Sequence, residues 1–206
     1  MDSTTVGFLL PTDDAPPLAD ADLEDVLRLM IGALTDLPAE RIQPRWPATV
    51  AAAPEPDTNW CVFSIEAVET DGNVLIRQRP AIDATLHADV AATSQQDARP
   101  VSVSATDDQQ ELIQHELLDL VVTCYGPHAQ RYATQLRDGM VVPQTNETLR
   151  PYRLAVVRSG PLQGSAALTD GTWLRRFDLS IDMRHEVVRT YAIRNLSSAP
   201  VALNKD

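Results

Sequence analysis

Hydrophobic residues recur at helical spacing in two stretches of the chain. In residues 20–37 they fall on one side of a helix: Leu23, Val26, Leu27, Met30, Ile31 and Leu34. Residues 127–140 repeat the pattern with Ala129, Tyr132, Ala133, Leu136 and Met140. Pro127 opens this second stretch, and proline is favoured in the first turn of a helix. The spacing predicts two amphipathic helices, each packed on an apolar layer.

Strict alternation of apolar and polar residues predicts strands in other parts of the chain. Residues 59–69 place Cys61, Phe63, Ile65 and Ala67 on one face. Residues 173–184 place one set inward: Trp173, Arg175, Phe177, Leu179, Ile181 and Met183. The outward set is Arg176, Asp178, Ser180 and Asp182. Residues 153–158 and 187–193 are further β-rich runs, so several half-buried strands are expected.

The run Leu-Leu-Asp-Leu-Val-Val-Thr-Cys-Tyr at residues 117–125 is largely apolar on both alternating sets. Such a run predicts a central strand covered on both faces. The turn signal Asp71-Gly72-Asn73, followed by an extended run at 74–77, predicts a hairpin with the strand at 59–69. Residues 80–110 lose periodicity, and the whole stretch 70–110 is interpreted as an insertion or long loop.

These elements together predict an α+β fold. The expected architecture is a mixed, mainly antiparallel sheet with two amphipathic helices packed on it and an elaborated loop insertion. A chain of 206 residues fits one domain of ordinary size or two small ones. We expect a single domain over residues 1–206, with 70–110 as its insertion.

Charge narrows the range of functions. The chain has a formal net charge of -12 and a sequence pI of about 4.6. Tight binding of nucleic acid needs clustered cations that displace counterions from phosphates, so the bulk surface is not expected to bind DNA or RNA. Aromatic residues make up only 5% of the chain, which argues against base-stacking platforms.

The cysteines and histidines are the candidate residues for a catalytic or metal site. Cys124 lies four residues before His128, so a nucleophile–base pair or a small metal cluster is one reading. No oxyanion motif, third orienting group or metal-ligand spacing accompanies them. We therefore expect no catalytic residue, no metal and no cofactor, with Cys61 and Cys124 as free, buried core residues in a protein made in a reducing cytoplasm.

Several segments resemble one family. They are Asn-Trp-Cys-Val-Phe-Ser-Ile at 59–65, His-Glu-Leu-Leu-Asp-Leu-Val-Val-Thr-Cys-Tyr-Gly-Pro at 115–127, Arg-Asp-Gly at 137–139, Leu-Ala-Val-Val-Arg-Ser-Gly at 154–160 and Trp-Leu-Arg-Arg-Phe-Asp-Leu at 173–179. Their arrangement resembles that of the tail terminator, or neck terminator, proteins of tailed bacteriophages. The likeness covers about two thirds of the chain, and residues 71–110 do not fit it.

The resemblance implies a structural virion protein rather than an enzyme. It implies a protein that caps the tail tube, ends its polymerisation and joins the tail to the head-side neck as a ring, a hexamer that matches the sixfold symmetry of the tube. The implied partners are the tail tube protein and a neck, connector or head-completion protein, with the tail sheath as a further candidate. The resemblance also implies that DNA passes through the lumen without specific binding and that no membrane is involved. Assembly in the host cytoplasm would place the protein in the tail or neck of the virion.

The long alternating run near the carboxyl end suggests where such a ring would form. Its outward face mixes both signs of charge, so rotated copies could set positive positions against negative ones. The predicted subunit-interface residues are Arg176, Asp182, Arg184 and Arg189. Two alternative functions remain open at this point: another neck or connector component, and a small intracellular enzyme that uses Cys124 and His128.

Overall fold

The computed structural model describes residues 9–12, 16–46, 57–72, 74–79, 108–169 and 171–193. The chain divides into two compact units, which are described separately. The larger unit comprises Pro17–Asn73 and Gln114–Val187, and the smaller one comprises Met1–Pro16, Val74–Ile113 and Val188–Asp206. The single domain expected over residues 1–206 stays a prediction.

Three α-helices lie in the described part of the chain: α1 at Asp20–Thr35, α2 at Ala129–Met140 and α3 at Pro143–Leu149. Short 3-10 turns follow α1 and α3, at Ala39–Arg41 and Arg150–Tyr152. Both predicted helices are present, although α2 begins two residues after Pro127. The helix α3 was not predicted, because its sequence Pro-Gln-Thr-Asn-Glu-Thr-Leu carries no apolar stripe.

Seven strands form a mixed sheet, which is consistent with the predicted α+β class. They are β1 (Ile42–Pro44), β2 (Trp60–Thr70), β3 (Leu75–Arg79), β4 (Asp108–Tyr125), β5 (Leu154–Ser159), β6 (Gln163–Thr169) and β7 (Thr172–Ile193). Their order is β1-β2-β4-β7-β5, with β3 paired to β4 and β6 paired to β7. β1 and β2 are parallel, whereas the pairs β2–β4, β3–β4, β5–β7 and β6–β7 are antiparallel.

The core of the larger unit lies between the helices and one face of the sheet. The predicted stripe of α1 is buried apart from the half-buried Leu34, and so are alternate residues in the second half of β4 and in the middle of β7. They include Leu118, Leu120, Val122, Cys124, Leu179, Ile181 and Met183. α1 is capped by the next residue, Asp36, which adopts the left-handed conformation (φ 59°) and donates its backbone N–H to the carbonyl of Gly32 at 2.8 Å.

Two glycines let backbones approach closely in this unit. Gly126, between β4 and α2, has φ +107°, and a Cβ there would lie 2.5 Å from the carbonyl oxygen of Thr58. Only glycine accommodates that combination without strain. Gly139 lies on α2 where a Cβ would meet Leu34 of α1 at 2.7 Å, so the small residue sets how closely the two helices pack.

β4 differs from the prediction of a strand covered on both faces. From Leu118 to Cys124 its even-numbered residues are fully buried. On the other face Thr123 is also buried, but Leu117, Asp119, Val121 and Tyr125 are only half-buried. The helices pack on one face of the sheet, and the opposite face keeps contact with solvent. An apolar composition on both faces of a strand therefore did not require two covering layers.

The predicted hairpin between residues 59–69 and 74–77 is wrong. β2 pairs with β4 as far as Thr70↔Glu116, and β3 then pairs with an earlier length of β4, from Leu75↔Ile113 to Arg79↔Gln109. The turn at 71–73 therefore leads into pairing with the same long partner strand. The stretch 70–110 accordingly contains β3 and the start of β4, and residues 80–107 lie outside the described part.

The two runs expected at 173–184 and 187–193 form one continuous strand, β7. The predicted alternation is observed from Leu179 to Met183, but Trp173 and Arg175 are exposed rather than inward. Phe177 is the first residue of that set to pack against the core. The start of β7 instead pairs with β6, a strand that the polar sequence Gln-Gly-Ser-Ala-Ala-Leu-Thr did not predict.

In the smaller unit, β3 pairs with residues 109–113 of β4, and the segment 9–12 meets the end of β7. Pro11 forms an isolated antiparallel bridge with Tyr191. The backbone N–H of Thr12 donates to the carbonyl of Thr190 at 2.7 Å, and the hydroxyl of Thr12 donates to the same oxygen at 3.2 Å.

Candidate functional site

The face of the sheet opposite the helices is here called the open face. Along each strand, the polar and aromatic side chains of this face alternate with the residues that point into the core. Trp60 of β2 lies directly opposite Tyr125 of β4, and their rings stack with centroids 4.3 Å apart and planes 14° from parallel. Ser180 of β7 donates a hydrogen bond to Asp119 of β4 at 2.8 Å. Side chains of neighbouring strands thus pair with each other across this face.

Arg176, the first predicted interface residue, belongs to a polar cluster on the open face. Its Nε donates to Asp178 Oδ1 at 2.9 Å, and the hydroxyl of Thr123 donates to the same oxygen at 2.6 Å. The hydrogen bond from Arg176 to Asp178 raises the pKa of the guanidinium above its usual range. The charge of Arg176 is therefore balanced by a neighbour two residues along its own strand.

Asp182 and Arg184 also have partners within the chain. Arg158 of β5 binds Asp182 Oδ2 through Nη2 at 2.6 Å and through Nε at 2.9 Å. Arg184 forms an ion pair with Asp71. The fourth residue, Arg189, is half-buried and belongs to the smaller unit. Three of the four predicted contact charges thus pair internally, and their role between subunits stays a prediction.

The two cysteines lie opposite each other across β2 and β4, as a pair that the sequence pattern did not connect. Cys61 Sγ and Cys124 Sγ are 3.0 Å apart, and both residues are buried and free. Their hydrogen bond, together with burial, raises the pKa of Cys61 well above that of an ordinary thiol. The prediction of free, buried cysteines is confirmed.

Cys124 and His128, the pair weighed for catalysis, are not brought together. The Cys124 thiol faces the core beside Cys61, whereas the side chain of His128 is exposed. The backbone N–H of His128 donates to Asn59 Oδ1 at 2.8 Å, which ties the start of α2 to the residue before β2. In the described ranges, no group of three or more histidine, cysteine or acidic residues is placed to hold a metal ion.

His185 is a buried histidine that the sequence reasoning did not single out. It is 2% exposed, and its Nδ1 lies 3.9 Å from Glu116 Oε2. The signal was present in the sequence, because residue 185 continues the inward series of Leu179, Ile181 and Met183. Its proximity to Glu116 depends on the β4–β7 pairing, which the periodicity of either strand alone does not specify.

β6 and β7 form a hairpin whose end exposes two large apolar side chains. Leu168 and Trp173 lie directly opposite each other, and they are 59% and 69% exposed. Arg175, also exposed, follows two residues after Trp173 and so shares its face. Leu168, Trp173 and Arg175 are here called the hairpin tip.

Two surface grooves lie in the larger unit. The apolar groove, between α1 and α3, has a volume of about 120 Å³. Its lining is Val26, Leu29, Met30, Ala33, Leu34, Thr145, Thr148, Leu149 and Tyr152. A wider polar groove of about 630 Å³ runs along α2, where Arg131 and His128 face Arg175 of the hairpin tip. Asp138, which pairs with Arg137, lines the same groove, so its charged lining holds two arginines and one carboxylate.

No helix in the described residues is long and apolar enough to cross a membrane. A comparison with curated proteins finds no match. A family model described as phage neck terminator protein matches residues 21–206, which is nearly the whole chain. The resemblance drawn from residues 59–65, 115–127 and 173–179 is confirmed by this match. The chain belongs to the phage neck terminator protein family, whose role in the tail and neck of the virion is structural.

Proposed function

We propose that this protein caps the tail tube, ends the polymerisation of the tube protein, and joins the tail to the head-side neck as a ring. The observation that carries the proposal is the family match over residues 21–206. A terminator must bind the last ring of the tube on one side and offer the connector a surface on the other. The proposed partners are therefore the tail tube protein, a neck or head-completion protein, and further copies of this chain in a hexamer.

The charge of the chain supports a position around the DNA path. A formal net charge of -12 per copy gives a ring a strongly negative field. The genome would be repelled by such a lumen and would pass without being held. The basic residues of the open face fit this proposal because Arg158, Arg176 and Arg184 each pair with a carboxylate of the same chain.

The proposed ring has its predicted contact residues in β7: Arg176, Asp182, Arg184 and Arg189. Pairs at the rim of an interface contribute little individually, about 0–1 kcal/mol, but a ring repeats each contact in every copy. Because the first three residues already have partners within the chain, each would gain less free energy from pairing with a neighbouring subunit. Their contribution is therefore expected to be to orientation more than to affinity.

Electron microscopy of the purified protein with isolated tail tubes tests the proposal directly. We expect rings of the protein alone and additional density at one end of each tube. Tube protein polymerising in the presence of the chain should stop at shorter lengths than tube protein alone. Binding to the isolated connector with no effect on tubes would contradict capping and would favour another neck component.

The same sample tests the enzyme alternative that uses Cys124 and His128. Both thiols are alkylated in mild denaturant, and the protein is then refolded. Comparison of this protein with the Cys124→Ala variant separates a chemical role of the thiol from a packing role. We expect Cys124→Ala to cap tubes as the wild type does. Loss of capping in a folded Cys124→Ala protein would contradict a purely structural role for this residue.

A further inference from the structure

The larger unit carries an exposed apolar patch at the hairpin tip and an apolar groove between α1 and α3. We propose that the hairpin tip of one copy docks into the apolar groove of a second copy of this chain. The proposal rests on the proposed function, because it identifies the contact from which the ring is built. It places that contact away from the open face on which the charges of β7 lie.

The hairpin tip has the composition of an interface anchor. Trp173 and Leu168 stand side by side across two paired strands, so they present one continuous apolar surface. Isolated apolar residues are common on protein surfaces, but a tryptophan that remains 69% exposed beside a leucine that remains 59% exposed is a larger patch. Tryptophan is enriched among the residues that dominate binding energy at interfaces.

The apolar groove has the size and lining to receive such an anchor. Its volume is about 120 Å³, and one water molecule needs on the order of 10–15 Å³ by the same measure, so a bulky side chain can enter. Leu29, 64% exposed, forms the outer wall on α1, and Tyr152 forms part of the opposite wall. Burial of Trp173 between them would remove apolar area from water on both copies.

Charges around the two features have opposite signs. Asp22 and Asp25 share the exposed face of α1 with Leu29, seven and four residues before it, and Asp36 is the exposed residue that caps the helix. Asp25 binds Arg28 at 2.6 Å. On the other side, Arg175 of the hairpin tip lines the polar groove together with Arg131, against one carboxylate, Asp138, in that lining. Because copies with a net charge of -12 repel each other overall, a local attraction of this kind favours one orientation.

The arrangement specifies the type of assembly. The hairpin tip and the apolar groove are different surfaces of one subunit, so the contact between copies is heterologous. In a heterologous contact each copy binds one neighbour through the first surface and the other neighbour through the second. Such contacts form a ring when the rotation between copies closes. Every subunit of the ring would then donate one tryptophan and accept another.

Complementation between two defective variants tests this geometry. Trp173→Ala removes the anchor and leaves the groove, while Leu29→Glu blocks the groove and leaves the anchor. Both positions are exposed, so each variant is expected to melt as the wild type does. Trp46→Ala, at a tryptophan that is 81% exposed, is the matched control for the first variant. Ala21→Glu, exposed on the same helix but outside the groove, is the control for the second.

Native mass spectrometry of each variant, and of an equimolar mixture of the first two, gives the readout. Each defective variant alone should need about tenfold or more protein for half-maximal assembly, and both controls should form wild-type rings. The mixture should give heterodimers, because one intact tip can meet one intact groove. Wild-type rings that persist in Trp173→Ala overturn this contact but leave the proposed capping standing. A wild-type protein that stays monomeric at high concentration and in the presence of tubes would overturn both this contact and the proposed capping. Folded variants that fail to pair in the mixture would overturn the heterologous contact.

Discussion

Replacement of Leu120 by alanine tests whether the core lies on one face of β4, as the structure indicates. Leu120 is fully buried and lies opposite Ile65 on β2, within the layer that the helices cover. Leu117, on the same strand, is half-buried on the open face. The two leucines are identical in chemistry and three residues apart, so Leu117→Ala is the matched control for Leu120→Ala.

The expected losses follow from burial. A fully buried leucine loses both its transfer free energy and the contacts around the cavity left behind, which together amount to about 2–5 kcal/mol. A half-buried leucine on a solvated face leaves no closed cavity and loses about half of the transfer term alone, roughly 1 kcal/mol. Leu120→Asp should cost more than Leu120→Ala, because it buries an unpaired charge.

Urea titration and thermal melts followed by circular dichroism measure the difference. For a chain of this length each kcal/mol lowers the Tm by about 2–4 °C, so Leu120→Ala should melt roughly 4–20 °C below the wild type. Leu117→Ala should melt within a few degrees of it. Equal losses for the two variants would refute the one-sided core and would support the original prediction of a strand covered on both faces.

Three further predictions concern the turn, the thiols and the charges. Gly126→Ala should lower the free energy of unfolding by about 1–3 kcal/mol in chemical denaturation, because alanine is strained at φ +107° and its Cβ meets the carbonyl of Thr58; a wild-type midpoint would contradict the close approach. Cys61 and Cys124 should react slowly with a thiol reagent in the native protein and rapidly in urea. The free energy of unfolding should also fall as pH rises above roughly 8.5, because the pKa of Cys61 is raised in the folded state and the unfolded thiol ionises first. Asp182→Arg should reduce stability by about 1 kcal/mol, since the Arg158 end of its ion pair is 75% exposed although Asp182 itself is only 22% exposed. A Tm unchanged together with lost assembly in native mass spectrometry would place this residue at the subunit contact instead.

The parts of the fold that the sequence predicts are those governed by local periodicity. The stripe of Leu23, Val26 and Leu27 specifies which side of α1 is buried, and the alternation of Leu179, Ile181 and Met183 specifies the core face of β7. Both are properties of one segment, because helical and extended backbones repeat every 3.6 and 2 residues whatever their neighbours are. The structure agrees with the sequence at these positions.

The errors arise where an element depends on a distant partner. The turn signal predicts pairing of β3 with β2, but its ladder runs along β4, with partners 38 residues away at Leu75↔Ile113 and 30 at Arg79↔Gln109. β6 has few β-branched residues and is a strand because β7 supplies its hydrogen-bonding partner. Turn chemistry and propensity are local, so neither identifies such pairings.

The candidate contact residues show the same division. Alternation correctly placed Asp182 outside the core, and mixed signs on that face suggested pairing with another copy. The structure shows Arg158 paired with Asp182 and Asp71 paired with Arg184, partners that lie 24 and 113 residues away in the sequence. A charge pattern indicates that a residue seeks an opposite charge, but the topology decides whether the same chain supplies it.

That distinction changes which surface is expected to drive assembly. A charge already paired within its own chain must give up that pair, or share it, to bind a neighbour, so its net contribution to association is small. Trp173 has no such competing partner to lose, since most of its side chain contacts solvent in the single copy. Burial of apolar area is also less weakened by salt than ion pairing is, which matters for a chain with a net charge of -12. Association would therefore gain the most free energy at the hairpin tip. The paired charges of the open face are better suited to disfavouring incorrect orientations of neighbouring copies.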